Sequence, residues 1–137
     1  MRSDEWLSGR MEEIWMLLFS DFPKKNEVKV RFKGRWKNKF GHIKGLNDGS
    51  TEIVVNSYFR HHSIPEYIID ITLAHEIVHY VHGFHSPYPR RFKHPHKGGI
   101  VGKELKRRGF GGVIKMEKVW IKNEWPGVFL SVSSFLK

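Results

Sequence analysis

His75-Glu76-Ile77-Val78-His79 carries residue types and a spacing suited to metal chemistry, in the pattern H-E-x-x-H. On an α-helix, residues four apart lie one above the other on the same face. His75 and His79 can then aim two imidazole nitrogens at one Zn²⁺, each at about 2.0–2.1 Å. Glu76 directly follows the first ligand, so its carboxylate can take a proton from a water that the metal activates. Random matches to this pattern would number about 0.04 in a chain of this composition. Two ordinary surface histidines are the alternative. The segment is apolar nearly all round, however, through Ile68, Ile69, Ile71, Leu73, Ala74, Ile77, Val78 and Val81. Such a helix belongs in a core, where uncompensated polar groups are costly. A metal supplies the compensation.

The pattern predicts that this helix begins at Ser63, an N-cap in a capping box with Glu66, and stops at Gly83. His61 and His62 precede the cap and read as surface residues. Upstream, residues 4–20 carry Trp6, Leu7, Met11, Ile14, Trp15, Leu18 and Phe19 at helical spacing. Val28, Val30 and Phe32 then alternate with Lys29, Arg31 and Lys33, the period of a half-buried strand with a basic outer face. Residues 40–46 and 51–56 read as two further strands, joined by the turn residues Asn47-Asp48-Gly49-Ser50. A proline-containing loop over 83–99 follows. Next come a short helix over 100–108, stopped by Gly109, and another over 113–125, closed by Pro126. The apolar tail 128–136 receives no assignment. The sum is one α+β domain over 1–137: a small twisted sheet packed on the His-Glu-His helix, with helices at both ends.

A chain of 137 residues suffices for one domain with a real core, and ten Phe, five Trp and four Tyr give that core bulk. Cysteine is absent, which excludes disulfides and a cysteine zinc ribbon and suits a cytoplasmic setting. No apolar run approaches the ~18 residues of a membrane span, and no signal-peptide pattern opens the chain. The expectation is an intracellular protein with no membrane partner. The net charge of +10 is uneven. Residues 24–44 hold nine Lys/Arg against Glu27 alone, and residues 86–118 hold ten against Glu104 and Glu117. Such stretches either bind a polyanion or simply solvate the surface. In the first, Lys29, Arg31 and Lys33 share a strand face, and Arg35, Lys37 and Lys39 flank Trp36. Cations there could track the phosphates of single-stranded DNA while Trp36 stacks on a base. Trp36 could equally pack inward.

A catalytic zinc usually has three protein ligands and one open position. His82 shares the helix face but lies about 10.5 Å of rise beyond His75, too far for one metal to reach all three helix histidines. His85 sits where a metzincin pattern would place its last histidine, but that pattern needs glycine at position 82. Glu104, within Lys103-Glu-Leu-Lys-Arg-Arg, would make a gluzincin-type site, although a solvated ion pair is the commoner reading. His96 and His94 end the loop, and His96 immediately precedes the next helix. Position favours His96, with His94, His85 and Glu104 as alternatives.

From about residue 28 to 109 the chain resembles the SprT-like (Spartan-type) zinc metalloprotease domain. The resemblance rests on the basic strands with Gly41, the strand Glu52-Ile-Val-Val-Asn56, the H-E-x-x-H helix, and a loop ending in His96 before a glycine-containing helix start. The chain departs from that family in having Lys97 where glycine is common and Ile100 where an aromatic residue is common. The resemblance implies a zincin-like fold, with His75, His79 and His96 as Zn²⁺ ligands and Glu76 as catalytic base. It also implies hydrolysis of protein or peptide substrates, DNA-associated proteins first among them. Two other readings stay open: a compact gluzincin-like peptidase with no nucleic-acid role, and a nucleic-acid-binding module with a structural zinc.

Overall fold

Ser3 starts the first helix: its hydroxyl accepts a hydrogen bond from the Trp6 N–H at 3.0 Å. Asp4 and Glu5 put negative charge at the positive end of the helix dipole. A computed structural model of the chain, describing residues 1–136, runs this helix, α1, over Asp4–Leu18. Leu7, Met11, Ile14 and Trp15 recur on its buried face, as their spacing predicts.

The three expected strands form, each slightly shorter than its pattern: β1 (Val28–Phe32), β2 (Gly41–Gly45) and β3 (Thr51–Val55). β3 lies in the middle, parallel to β1 and antiparallel to β2. Its five residues are all buried, because strands cover both of its edges. β2 keeps one edge unpaired. The architecture is α+β, with a small mixed sheet and helices packed against it.

The His-Glu-His helix, α2, spans Glu66–Val81. The expected Ser63 cap does not form. Pro65 occupies the N-cap position without a side-chain hydrogen bond, and the Ser63 hydroxyl pairs instead with His61 Nδ1 at 2.8 Å. Thirteen of the helix's residues are buried, so packing rather than capping holds it. Ile68, Ile69, Leu73 and Ile77 are fully buried, each contributing about 1.5–3 kcal/mol of apolar transfer. Arg10 of α1 also grips Asp70 of α2 with two hydrogen bonds of 2.6 Å. Gly83, at φ 86°, turns the chain back beneath the helix, where a Cβ would lie 2.3 Å from Pro89 O.

The C-terminal third departs further from the sequence pattern. The helix expected over 100–108 is a short α3 (Ile100–Leu105) running into a π-turn over Lys106–Phe110. Gly109 takes φ 104° and bends the chain straight into α4 (Gly111–Asn123) rather than stopping it in a loop. Pro126 opens α5 (Trp125–Phe135) in its first turn instead of closing a helix, so the unassigned tail is helical. Phe40, Phe59, Trp120 and Trp125 stack edge-to-face and bind α4 and α5 to the segment before β2. The Trp125 indole N–H donates to Lys37 O at 2.8 Å. Among the described residues, no helix is long and apolar enough to cross a membrane.

Candidate metal centre

His75 and His79 lie on successive turns of α2, their ring centroids 4.8 Å apart. His96 arrives from the loop just before α3. Its Nε2 stands 3.0 Å from His79 Nε2 and 3.4 Å from His75 Nε2. Ligand atoms of the three residues all fall within 4.8 Å of one another. Nitrogens at the corners of a tetrahedron of 2.0–2.1 Å bonds are about 3.3–3.4 Å apart. The three imidazoles therefore lie close enough together for one metal ion to reach all of them.

The loop reaches this position because it is stitched down at several points. The Ser86 hydroxyl donates to Tyr80 O at 2.6 Å, Thr51 Oγ1 donates to His85 O at 2.7 Å, and Arg91 N–H donates to His82 O at 2.9 Å. Phe92 packs on the buried His82 ring.

The electrostatics favour neutral imidazoles. Burial, with His96 nearby, lowers the His75 pKa to about 4. Burial and the neighbouring histidines lower that of His79 to about 3. Both are uncharged at neutral pH, the form that binds a metal. Glu76 behaves oppositely: it is 6 % exposed, and burial pushes it up to about 8, with Lys39 the one charge opposing the shift. A buried carboxyl beside two neutral imidazoles is a place for a cation.

Gly41 lets β2 pass close over this carboxyl. A Cβ there would meet Val54 O at 2.7 Å, Thr72 Cγ2 at 3.0 Å and Glu76 Oε2 at 3.6 Å. Two cavities, of about 480 and 340 Å³, meet at Lys39, Gly41, His75 and Glu76. Together they make a groove along β2 with Glu76 at its middle. One arm runs past His79, His96 and Phe84, and the other past Phe40, Glu117, Ile121 and Trp125.

The alternative ligands go elsewhere. His94 is exposed and outside the cluster, and so is His85, which takes φ 58° on the groove rim. Glu104 is not the solvated ion-pair partner expected from its sequence. It is 3 % exposed and accepts hydrogen bonds from His82 Nε2 at 3.0 Å, Arg108 Nε at 2.8 Å and Arg107. Burial works against its charge, but the bonds from His82 and Arg108 hold its pKa below the ordinary value. Burial lowers His82 despite this partner, so a neutral imidazole donates to an ionised carboxylate. His61 and His62 stack on each other, outside the metal cluster.

The basic strand carries its charges partly paired. Lys29 binds Asp48 at 3.1 Å, and Arg31 binds Glu52 at 2.9 Å. Lys33, Arg35 and Lys37 are exposed. Trp36 is half-buried, folded over Gly34 with the Lys39 ammonium 4.5 Å from its ring, so one face is already covered. Sequence reasoning missed Glu117 and Ile121, which α4 contributes to the groove; four apart, they share a helix face, the one signal available. No family model, curated protein or solved structure matches the chain, so the geometry of the site carries the functional argument.

Proposed function

We propose that the chain is a zinc-dependent peptidase of SprT-like type, built on a zincin-like arrangement of a small sheet over its active-site helix. The observation that carries this reading is the convergence of three imidazole nitrogens beside a buried carboxyl group at the middle of an open groove. An all-imidazole donor set suits zinc, and three ligands rather than four suit a catalytic site. Bound there, zinc would supply Lewis acidity, polarising the scissile carbonyl and lowering the pKa of a water towards 7.

The chain's own residues do the rest. His75, His79 and His96 present Nε2 atoms as ligands. Glu76 accepts the proton of the attacking water on a carboxylate oxygen. As the C–N bond breaks, the same group returns that proton to the leaving nitrogen. The unpaired edge of β2 offers backbone donors and acceptors to an extended peptide lying in the groove. The exposed cations near Trp36 make DNA-associated proteins the first substrate class to try, with single-stranded DNA as the partner.

The test combines metal analysis with turnover of a model protein substrate. Purified protein should hold one zinc per chain, lost in the His75→Ala, His79→Ala double variant. Glu76→Gln should keep the zinc and lose about 10²–10⁴-fold in rate. Unchanged turnover in Glu76→Gln would remove this mechanism.

A further inference from the structure

The arm of the groove formed by α4 contains a carboxylate that the hydrolytic chemistry does not use. Glu117 lines the cavity of about 480 Å³ that opens onto His75 and Glu76, a size typical of ligand pockets. Among the described residues, no hydrogen bond or ion pair reaches the half-buried Glu117 carboxylate. Burial raises its pKa, and Lys118, next along the helix, is the charge that opposes this. The arm sets apolar walls, Phe40, Ile121 and the Trp125 ring, alongside the polar rim residues Lys37, Asn38 and Lys39. The Trp125 N–H is already spent on Lys37 O. The two lysines on the rim turn their charges aside: Lys37 Nζ lies 5.6 Å over the Phe129 ring and Lys39 Nζ 4.5 Å over the Trp36 ring, and neither ring lines the cavity. A carboxylate with no ion-pair partner among the described residues, set beside these apolar walls, complements a group with an apolar stem and a positive head.

We propose that Glu117 is a specificity-determining residue that holds a cationic group of the substrate, either a Lys or Arg side chain or the α-ammonium of a peptide's first residue. This rests on the peptidase reading and deepens it. A side chain held there selects bonds beside basic residues within a protein, whereas an α-ammonium held there makes the enzyme trim chain ends.

The experiment uses zinc-loaded protein carrying Glu76→Gln, so that peptides bind without being consumed. Three short peptides labelled with fluorescein at the C-terminus are compared by anisotropy: acetylated with one lysine, acetylated with norleucine in its place, and the norleucine peptide with a free N-terminus. One of the two cationic peptides should bind about tenfold tighter than the acetylated norleucine peptide, and which one does so identifies the source of the cation. Adding Glu117→Gln, which keeps the side chain's shape, should erase the preference, and Glu117→Lys should turn it towards a peptide bearing glutamate. Equal affinity for all three peptides, including no measurable binding, would overturn the proposal. So would a preference that survives Glu117→Gln. Hydrolysis by the wild-type chain is scored separately. A Glu117-dependent preference in a protein that cleaves nothing would keep the subsite and remove the peptidase reading.

Discussion

Glu76→Gln should make the metal-free protein more stable at neutral pH, by an amount that follows from the burial of the carboxyl group. Burial raises the Glu76 pKa from 4.5 to about 8. Between those values the folded chain keeps a proton that the unfolded chain has released, so stability falls as pH rises through this window. At pH 7 the penalty is about 1.36 kcal/mol for each pH unit above 4.5, or about 3 kcal/mol. Glutamine fills the same space and has no proton to keep. His75 and His79, lowered to about 4 and 3, act in the other direction, losing stability as pH falls below 6.5, but equally in both proteins. The assay is urea unfolding of chelator-treated wild type and Glu76→Gln from pH 4 to pH 8. The difference should be near zero at pH 4 and reach about 3 kcal/mol at pH 7, which is about 10 °C in Tm for a chain of this size. Zinc should shrink it, because a dication beside the carboxylate stabilises the charged form. Equal stability across the series without metal would refute the burial argument and with it the need for a cation at this place.

His96→Ala should sharply weaken zinc binding measured by calorimetry. Glu104→Ala should leave zinc stoichiometry intact but destabilise the fold by about 1–3 kcal/mol in urea, since it leaves the buried His82 Nε2 without a partner while Arg108 keeps Asp21; the reverse pattern would make Glu104 the ligand. Gly41→Ala should destabilise by about 1–3 kcal/mol and depress cleavage, because its Cβ would press on Val54 O at 2.7 Å, whereas Gly45→Ala, whose Cβ meets nothing, should do neither. Single-stranded DNA should bind more weakly as salt rises. Arg35→Ala with Lys37→Ala should reduce its affinity more than Lys29→Ala with Arg31→Ala, whose side chains already face Asp48 and Glu52. No binding at low salt would end the DNA assignment.

Local patterns were readable in this sequence wherever one element decides its own fate. The apolar run around His75 and His79 makes α2 a buried helix, and the alternation from Val28 to Phe32 makes β1 a strand. His96 was legible from its place at a loop–helix junction. Features that depend on partners from distant elements were not. Glu104 reads as one charge in a solvated Lys/Arg run, yet His82 of the α2 C-terminus and Arg108 beyond α3 bury it together. Ser63 has the chemistry of a cap, but the neighbouring His61 ring takes its hydroxyl. The tail's Val128-Phe-Leu-Ser-Val-Ser-Ser run has no strong helical bias. Packing of Trp125, Val128, Phe129 and Val132 against the core decides it. Glu117 counts in the sequence only as one acid within a basic stretch, and its spacing with Ile121 does not reveal that a groove lies opposite.

Two of the three imidazoles stand on a rigid helix, and the third comes from a chain segment that must find its way back. His79 and His96 are 17 residues apart, so whatever binds both acts as a removable cross-link. Closing a loop of about 15 residues contributes about 3 kcal/mol by chain entropy, as for a disulfide of that span. The stitches described above hold the loop near Ser86 and Arg91. Among the described residues, no backbone hydrogen bond outside the helices and strands reaches 92–96, so the ligand-bearing end depends most on that cross-link. Metal bound by the three imidazoles should then stiffen the rim of the groove next to His96, so that resistance of residues 92–96 to a nonspecific protease should rise with metal supply and gauge occupancy.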